Sequence, residues 1–316
     1  AIAANGVGAV YDLATGRRLA DIGAFRGLYF ASRQEAFWLQ PAVPDSPATV
    51  SHWTSAPSAS TGAAWKAGKF AELVPGAVAF IEYSFYSQHG SEHPSFNLSG
   101  EIPFQLRGLD PATGRELWKH VYLSDPPVPF NDPQGDRLVL GWKAKAPGAW
   151  ESAKHSPAAR ELLKRQKLKD LDAFFEVLDS RTGNSLGGVL VQFGSGASSF
   201  DSAFSCGDAL LLVKDRYRVT LFDLRTGTQL ARLRGQHPAA SAAAKILALD
   251  EGGKLVFYDL ASGARLGQRR FSDGIAYFRF AEKGDRFFVL ANHQQFFLLD
   301  VKKLLDDSAK SPSEDH

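Results

Sequence analysis

The chain has a single cysteine among 316 residues, Cys206. That excludes an intrachain disulfide and a cysteine-based zinc site. It lies in FDSAFSCGDALLLV, beside strand-like segments, and reads as a small buried hydrophobe rather than a reactive thiol. Methionine is absent altogether, even from position 1. This points to a clipped initiator or to a signal peptide or other upstream segment that has been removed. No apolar run approaches the roughly 18 residues of a membrane span. The 36 basic and 34 acidic residues leave a net charge of +2, too balanced to argue for nucleic acid, whose binders carry a concentrated basic face. A Gly-x-Ser-x-Gly elbow, a Walker loop and a His-Glu-x-x-His motif are all missing.

What the sequence has in quantity is one phrase. YDLATGRRLADI, LDPATGRELWKH, LDSRTGNSLGGV, FDLRTGTQLARL and YDLASGARLGQR share an apolar residue, Asp, Thr-Gly (once Ser-Gly) and a Leu. HWTSAPSASTGAAW is a weaker copy, and FFLLDVKKLLDD is one that has lost its turn. Gly16, Gly62, Gly114, Gly183, Gly227 and Gly263 stand 36 to 69 residues apart. With insertions allowed, that is the repeat of a four-stranded unit of roughly 40 residues. Within one unit, RYRVTLFDLRTGTQLARLRG alternates as a strand does, and DALLLVKD is continuous, as a strand buried on both faces is. The Asp and Thr side chains can bond nearby backbone N–H groups, and Gly accepts positive φ, so the phrase is a turn between strands C and D.

These units resemble the repeats of WD40-like and quinoprotein (PQQ)-like β-propellers, LDPATGRELWKH most closely. The resemblance implies an all-β fold of seven four-stranded blades, with six or eight as alternatives. Counting the units gives one domain over residues 1–307, with a short helical insertion in blade 4 at about 144–171 and a disordered polar tail at 308–316. The first blade lacks an obvious strand A and the seventh has a poor strand D, so the two termini share in closing the ring. A start at strand B is a further hint of upstream trimming.

The Thr-Gly turns lie on one face and are alike. On the other face the B–C loops differ. Blades five, six and seven use KDRY, DEGGK and ANHQ, whereas blades two, three and four use LQPAVPDSPATV, YSQHGSEHPSFNLSGEIPF and the 144–171 stretch. Long loops on a rigid scaffold are commonly functional or disordered. Ser156-Pro157 is a helix start, an N-cap followed by proline at the first helical position. Arg160, Lys164, Arg165, Lys167 and Lys169 face only Glu161 in that stretch, which reads either as a docking surface for an acidic partner or anionic headgroups or as a solvated helix face. Trp150 either anchors the insertion or presents an aromatic ring to a partner. His89 and His93 have metal-like spacing, but Gly90 and Pro94 argue against the helix such a pair needs, so they read as polar loop residues. Asn97-Leu98-Ser99 matches a short glycosylation pattern. The other tryptophans read as packing between blades.

The resemblance also raises a quinone-dependent dehydrogenase. Only Trp118 matches its tryptophan position closely, the vicinal cysteine pair of many members is impossible here, and no calcium-like cluster is evident. The expectation is therefore a non-catalytic scaffold or protein-interaction subunit, binding through His89, His93, Trp150, Arg160, Lys164, Arg165 and Lys167, with no cofactor and no metal. Its partners would be one or more proteins in a larger complex, and its compartment periplasmic or secreted, with cytoplasmic as the alternative. A small-ligand or carbohydrate-binding propeller, or an enzyme with its site at the central channel, is the competing reading.

Overall fold

The structure is a computed structural model. It describes residues 2–4, 7–11, 17–25, 27–32, 35–39, 49–54, 61–66, 71–75, 80–84, 104–110, 112–125, 127–131, 137–154, 157–165, 167–192, 200–272, 274–281, 283–291 and 295–310.

The expected all-β class is borne out. The described strands form seven antiparallel sheets, each a meander in chain order. Sheet 1 holds β1 (Ile2–Ala4), β2 (Val7–Tyr11) and β3 (Arg18–Ala24). Sheet 2 holds β4 (Gly27–Ser32), β5 (Glu35–Leu39), β6 (Thr49–Thr54) and β7 (Thr61–Lys66). Sheet 3 holds β8 (Ala71–Pro75), β9 (Phe80–Ser84), β10 (Phe104–Leu109) and β11 (Glu116–Tyr122). Sheet 4 holds β12 (Val128–Asn131), β13 (Arg137–Lys143), β14 (Ala173–Asp179) and β15 (Ser185–Val191). Its β13–β14 connection carries helices α1 (Pro147–Ala153) and α2 (Pro157–Arg165). Sheet 5 holds β16 (Ser202–Cys206), β17 (Ala209–Lys214), β18 (Arg218–Asp223) and β19 (Gln229–Arg234). Sheet 6 holds β20 (Gln236–Ser241), β21 (Ile246–Asp250), β22 (Lys254–Asp259) and β23 (Arg265–Arg270). Sheet 7 holds β24 (Ile275–Phe280), β25 (Arg286–Ala291) and β26 (Gln295–Asp300), and helix α3 (Val301–Lys310) follows where a fourth strand would.

The core is a series of face-to-face contacts between successive sheets, which follows from strand alternation. On β17, Leu210 and Leu212 pack with Phe175 and Val189 of sheet 4, while Leu211 and Val213 pack with Leu247 and Leu249 of sheet 6. Every other residue thus serves a different neighbour, and ALLLV has no solvent face to give polar residues. Val10 and Ile22 pack with Trp38 and Trp53 between sheets 1 and 2. Val301 and Leu304 of α3 join the layer between sheets 6 and 7.

The repeated phrase is the turn it promised to be. One oxygen of Asp110 accepts the backbone N–H groups of Ala112 (3.0 Å) and Thr113 (2.8 Å) and the Thr113 hydroxyl (2.9 Å). Asp179 with Thr182 and Asp259 with Ser262 repeat this set. Gly114, Gly183, Gly227 and Gly263 close the turns at φ of 69°, 69°, 70° and 73°. Thr61-Gly62 departs from the expected turn: both residues lie in β7, paired with Trp53 and His52. Ser58 stands three residues before Thr61, where the other copies have Asp.

Burial alone would raise the Asp110 carboxyl, but bonds from Thr113 and Ala112 and the nearby Arg115 charge hold it below its ordinary value. Its contribution is therefore present above the unfolded carboxylate range and is lost as pH falls through the lower folded value. Asp110→Ala is expected to lower stability by about 1–2 kcal/mol at pH 7, read as a shift in the urea midpoint, with the difference from wild type vanishing in strong acid.

The turns of sheets 4, 5 and 6 also dock on the sheet before them. Trp118 of β11 is 8% exposed, and its Nε1 donates to the Ser180 carbonyl at 2.7 Å in the turn of sheet 4. The ring lies so close to Gly183 that a Cβ there would come within 2.6 Å of it. His120 adds a 2.8 Å contact from Nε2 to the Gly183 carbonyl. Ala231 of β19 meets Gly263 in the same way. Trp118 and Ala231 each stand four residues past their own turn glycine, and sheet 4 has Gly187 there. Leu162 of α2 instead reaches the turn of sheet 5 and would touch a Cβ at Gly227 at 3.4 Å. The insertion supplies the apolar group that the strand lacks.

Candidate functional site

The largest described departure from the repeat is the connection from Lys143 to Ala173. Helix α2 starts at Pro157, as the sequence implies. Helix α1 was not foreseen, although Pro147 at its first turn is a start signal of the same kind. Helix α2 ends at Arg165, and Leu168 and Leu171 lie beyond it.

The insertion is seated rather than loose. Ala149, Ala153, Ala159 and Leu163 are buried with Trp118, Tyr122, Leu140, Trp142 and Phe174 in the crevice between sheets 3 and 4. The small residues of α1 let it come close: a Cβ at Gly148 would meet the Trp142 ring at 2.9 Å. Asp172 pins the far end, its side chain accepting Lys169 N–H at 2.8 Å and its carbonyl accepting Ala144 N–H at 2.8 Å. The insertion therefore runs along the flank of sheet 4, beyond the simple enlargement of the B–C face expected from loop lengths.

The sequence-selected residues divide accordingly. Trp150 is half-buried against the same apolar cluster, an anchor. Arg160, Lys164, Lys167 and Lys169 are exposed. Lys164 meets Glu161 at 3.4 Å, and Lys145 takes Asp170 at 2.6 Å. Arg165 ends α2. His89, His93 and Asn97 lie outside the described residues. Among the described residues no group of three His, Cys, Asp or Glu is placed to hold a metal. Cys206 is buried, as expected.

Beneath α1 lies a carboxyl that the sequence reading passed over. Glu176 is 1% exposed in the middle of β14, opposite Leu140 and Gly188. The Ser152 hydroxyl of α1 donates to its Oε2, and its Oε1 has no hydrogen bond. Burial pushes this carboxyl up to about 7, with Ser185 pulling the other way. Burial, then the Glu176 charge, raises the Tyr122 phenol. The signal was legible: in AFFEVLD one acid interrupts a strand whose neighbours are buried on both faces.

Elsewhere, Arg269, Arg270, Phe271, Ser272, Gln295 and Phe297 border a recess of about 140 Å³ between sheets 6 and 7, with the Arg269 guanidinium 5.8 Å from the Phe271 ring centre. It is smaller than the several hundred Å³ of ordinary small-molecule pockets. The outer face of sheet 7 exposes Tyr277 (55%), Phe296 (64%) and Leu298 (53%), with Phe288 and Leu290 half-buried between them. No helix among the described residues is long and apolar enough to cross a membrane.

No family model and no curated protein matches the chain. Among solved structures, BamB from Moraxella catarrhalis aligns at 12% identity and a TM-score of 0.45, covering 91% of this chain and 78% of that one. The computationally designed Ika8 protein aligns at 13% identity and a TM-score of 0.48, covering 93% and 77%. Neither likeness carries a functional assignment.

Proposed function

We propose that this chain is a non-catalytic seven-bladed β-propeller that serves as an interaction subunit, exported from the cytoplasm, and that an acidic protein partner docks on the insertion of the fourth blade. The observation that carries this reading is the division of labour within the insertion. Its apolar residues are spent on seating it, while Arg160, Lys164, Lys167 and Lys169 point to solvent on a fixed support. A rigidly held cationic strip loses little entropy on binding and steers an anionic partner.

The seven-blade reading rests on the serial stacking of the sheets and on the turn repeated in them. The interfaces described between sheets 1 and 2, 3 and 4, 4 and 5, 5 and 6, and 6 and 7 are apolar faces of that kind, so a closed ring would have sheet 1 cover the exposed apolar outer face of sheet 7.

The test is recovery of partners from native cells. A tagged chain carrying Arg160→Glu, Lys164→Glu, Lys167→Glu and Lys169→Glu is expected to lose at least about tenfold of its partner, with its melting temperature within a few degrees of wild type because all four positions are exposed. Equal recovery by the two chains would sink the docking assignment. Shortening the insertion is a poorer test, because Ala149, Ala153, Ala159 and Leu163 belong to the core.

A further inference from the structure

We propose that Glu176 is a proton-operated latch that holds helix α1 in the crevice between sheets 3 and 4. The neutral carboxyl keeps the helix seated, and ionisation loosens it. The inference concerns regulation of the docking surface proposed above, but its test needs no partner.

The groups around Glu176 come from four elements. Helix α1 supplies Ser152, which donates to Oε2. Strand β15 supplies Ser185, whose hydroxyl holds the carboxyl value down against burial. Strand β11 supplies Tyr122, and Leu140 and Gly188 stand directly opposite Glu176 in sheet 4, amid the apolar Phe174, Leu178 and Leu190. The charged groups nearby do not neutralise it. Glu151 of α1 has the same sign and is engaged by the Leu123 N–H at 3.0 Å. His120, further along β11, faces the Gly183 carbonyl. No cation stands against the carboxylate among the described residues. A neutral acid suits this site, since it brings no charge into a crevice lined by hydroxyls and apolar groups. A carboxylate would hold an unpaired buried charge, and the simplest relief is for α1 to lift and admit water. Because Ser152 belongs to α1, the group that titrates and the element that moves are in direct contact.

The sign follows from linkage. The folded carboxyl sits near 7, above its ordinary 4.5. The seated state is favoured fully at low pH, loses ground across the interval between those values, and loses no more above it. The experiment is amide hydrogen exchange of Pro147–Ala153 in the intact chain, expressed as protection factors between pH 5 and 8.5. Trp150 emission serves as a second readout. Wild type is expected to lose about tenfold in protection per pH unit up to about 7 and then level off. Glu176→Gln should show no such slope, and Ser152→Ala should lower protection while keeping it. A flat wild-type profile, or the same slope in Glu176→Gln, would overturn the proposal. So would full protection in Ser152→Ala. Loss of partner binding with an intact slope in protection would instead count against the docking surface alone.

Discussion

Trp118→Ala is expected to lower unfolding free energy by about 3–5 kcal/mol, the range for removing a large buried aromatic side chain. The ring does more than fill volume. It spans the gap between sheets 3 and 4, pressed between Gly108 and Gly183, and its Nε1 satisfies the Ser180 carbonyl. His120 lies 5.3 Å away, ring centre to ring centre, in the same contact. Truncation would leave a cavity that two glycines cannot fill and a buried carbonyl without its donor. Trp118→Phe separates the two contributions, because it keeps most of the ring and loses the hydrogen bond, and should cost about 1–2 kcal/mol. Gly183→Val should be about as damaging as Trp118→Ala, since its Cβ collides with the ring and its φ of 69° disfavours a β-branched residue. Urea unfolding of the three variants checks the series. A Trp118→Ala cost under about 1 kcal/mol would mean that the turn does not dock as described.

Phe296→Asp combined with Leu298→Asp is the second large effect. If sheet 1 covers the outer face of sheet 7, both new charges enter a packed apolar interface, and a loss of several kcal/mol is expected. The face carries two cations among its described residues, Arg279 on β24 opposite Phe288 and Arg286 on β25, the latter already engaged by Asp300 at 3.5 Å. If the face stayed in water, the same pair would be close to neutral, as exposed substitutions are. Thermal unfolding therefore separates a closed ring from an open stack. The change should be insensitive to protein concentration, because the cover is part of the same chain; a concentration-dependent midpoint would point to a second copy.

The scaffold was legible in the sequence because its determinants are local. An Asp three residues before Thr-Gly fixes a turn through bonds within five residues, and a run such as ALLLV declares burial on both faces. The loss of the seventh turn in FFLLDVKKLLDD was equally plain, and α3 stands in its place. The copy at Thr61-Gly62 misled because the dipeptide was matched without its Asp. What the sequence could not convey was contact between distant segments. Leu162 filling the slot left by Gly187, and Ser152 meeting Glu176, depend on how the insertion folds back. Charge counting found Arg160 to Lys169 but not that the same helix is anchored by Ala159 and Leu163. His89 and His93 lie where the structure describes nothing, and that part of the expected binding face stands on the sequence alone.

Ring closure is open to a direct distance measurement. Spin labels placed on Asp21 of β3 and Gln295 of β26, in a Cys206→Ala background, report the separation of the first and last sheets. Both positions are exposed, and Cys206 is the chain's single native thiol. Closure predicts a narrow distribution centred below roughly 25 Å, allowing ~10 Å between packed sheets plus the label tethers and the outward splay of the strands. A broad distribution, or one centred well beyond that distance, would contradict the seven-bladed ring on which the proposed scaffold depends.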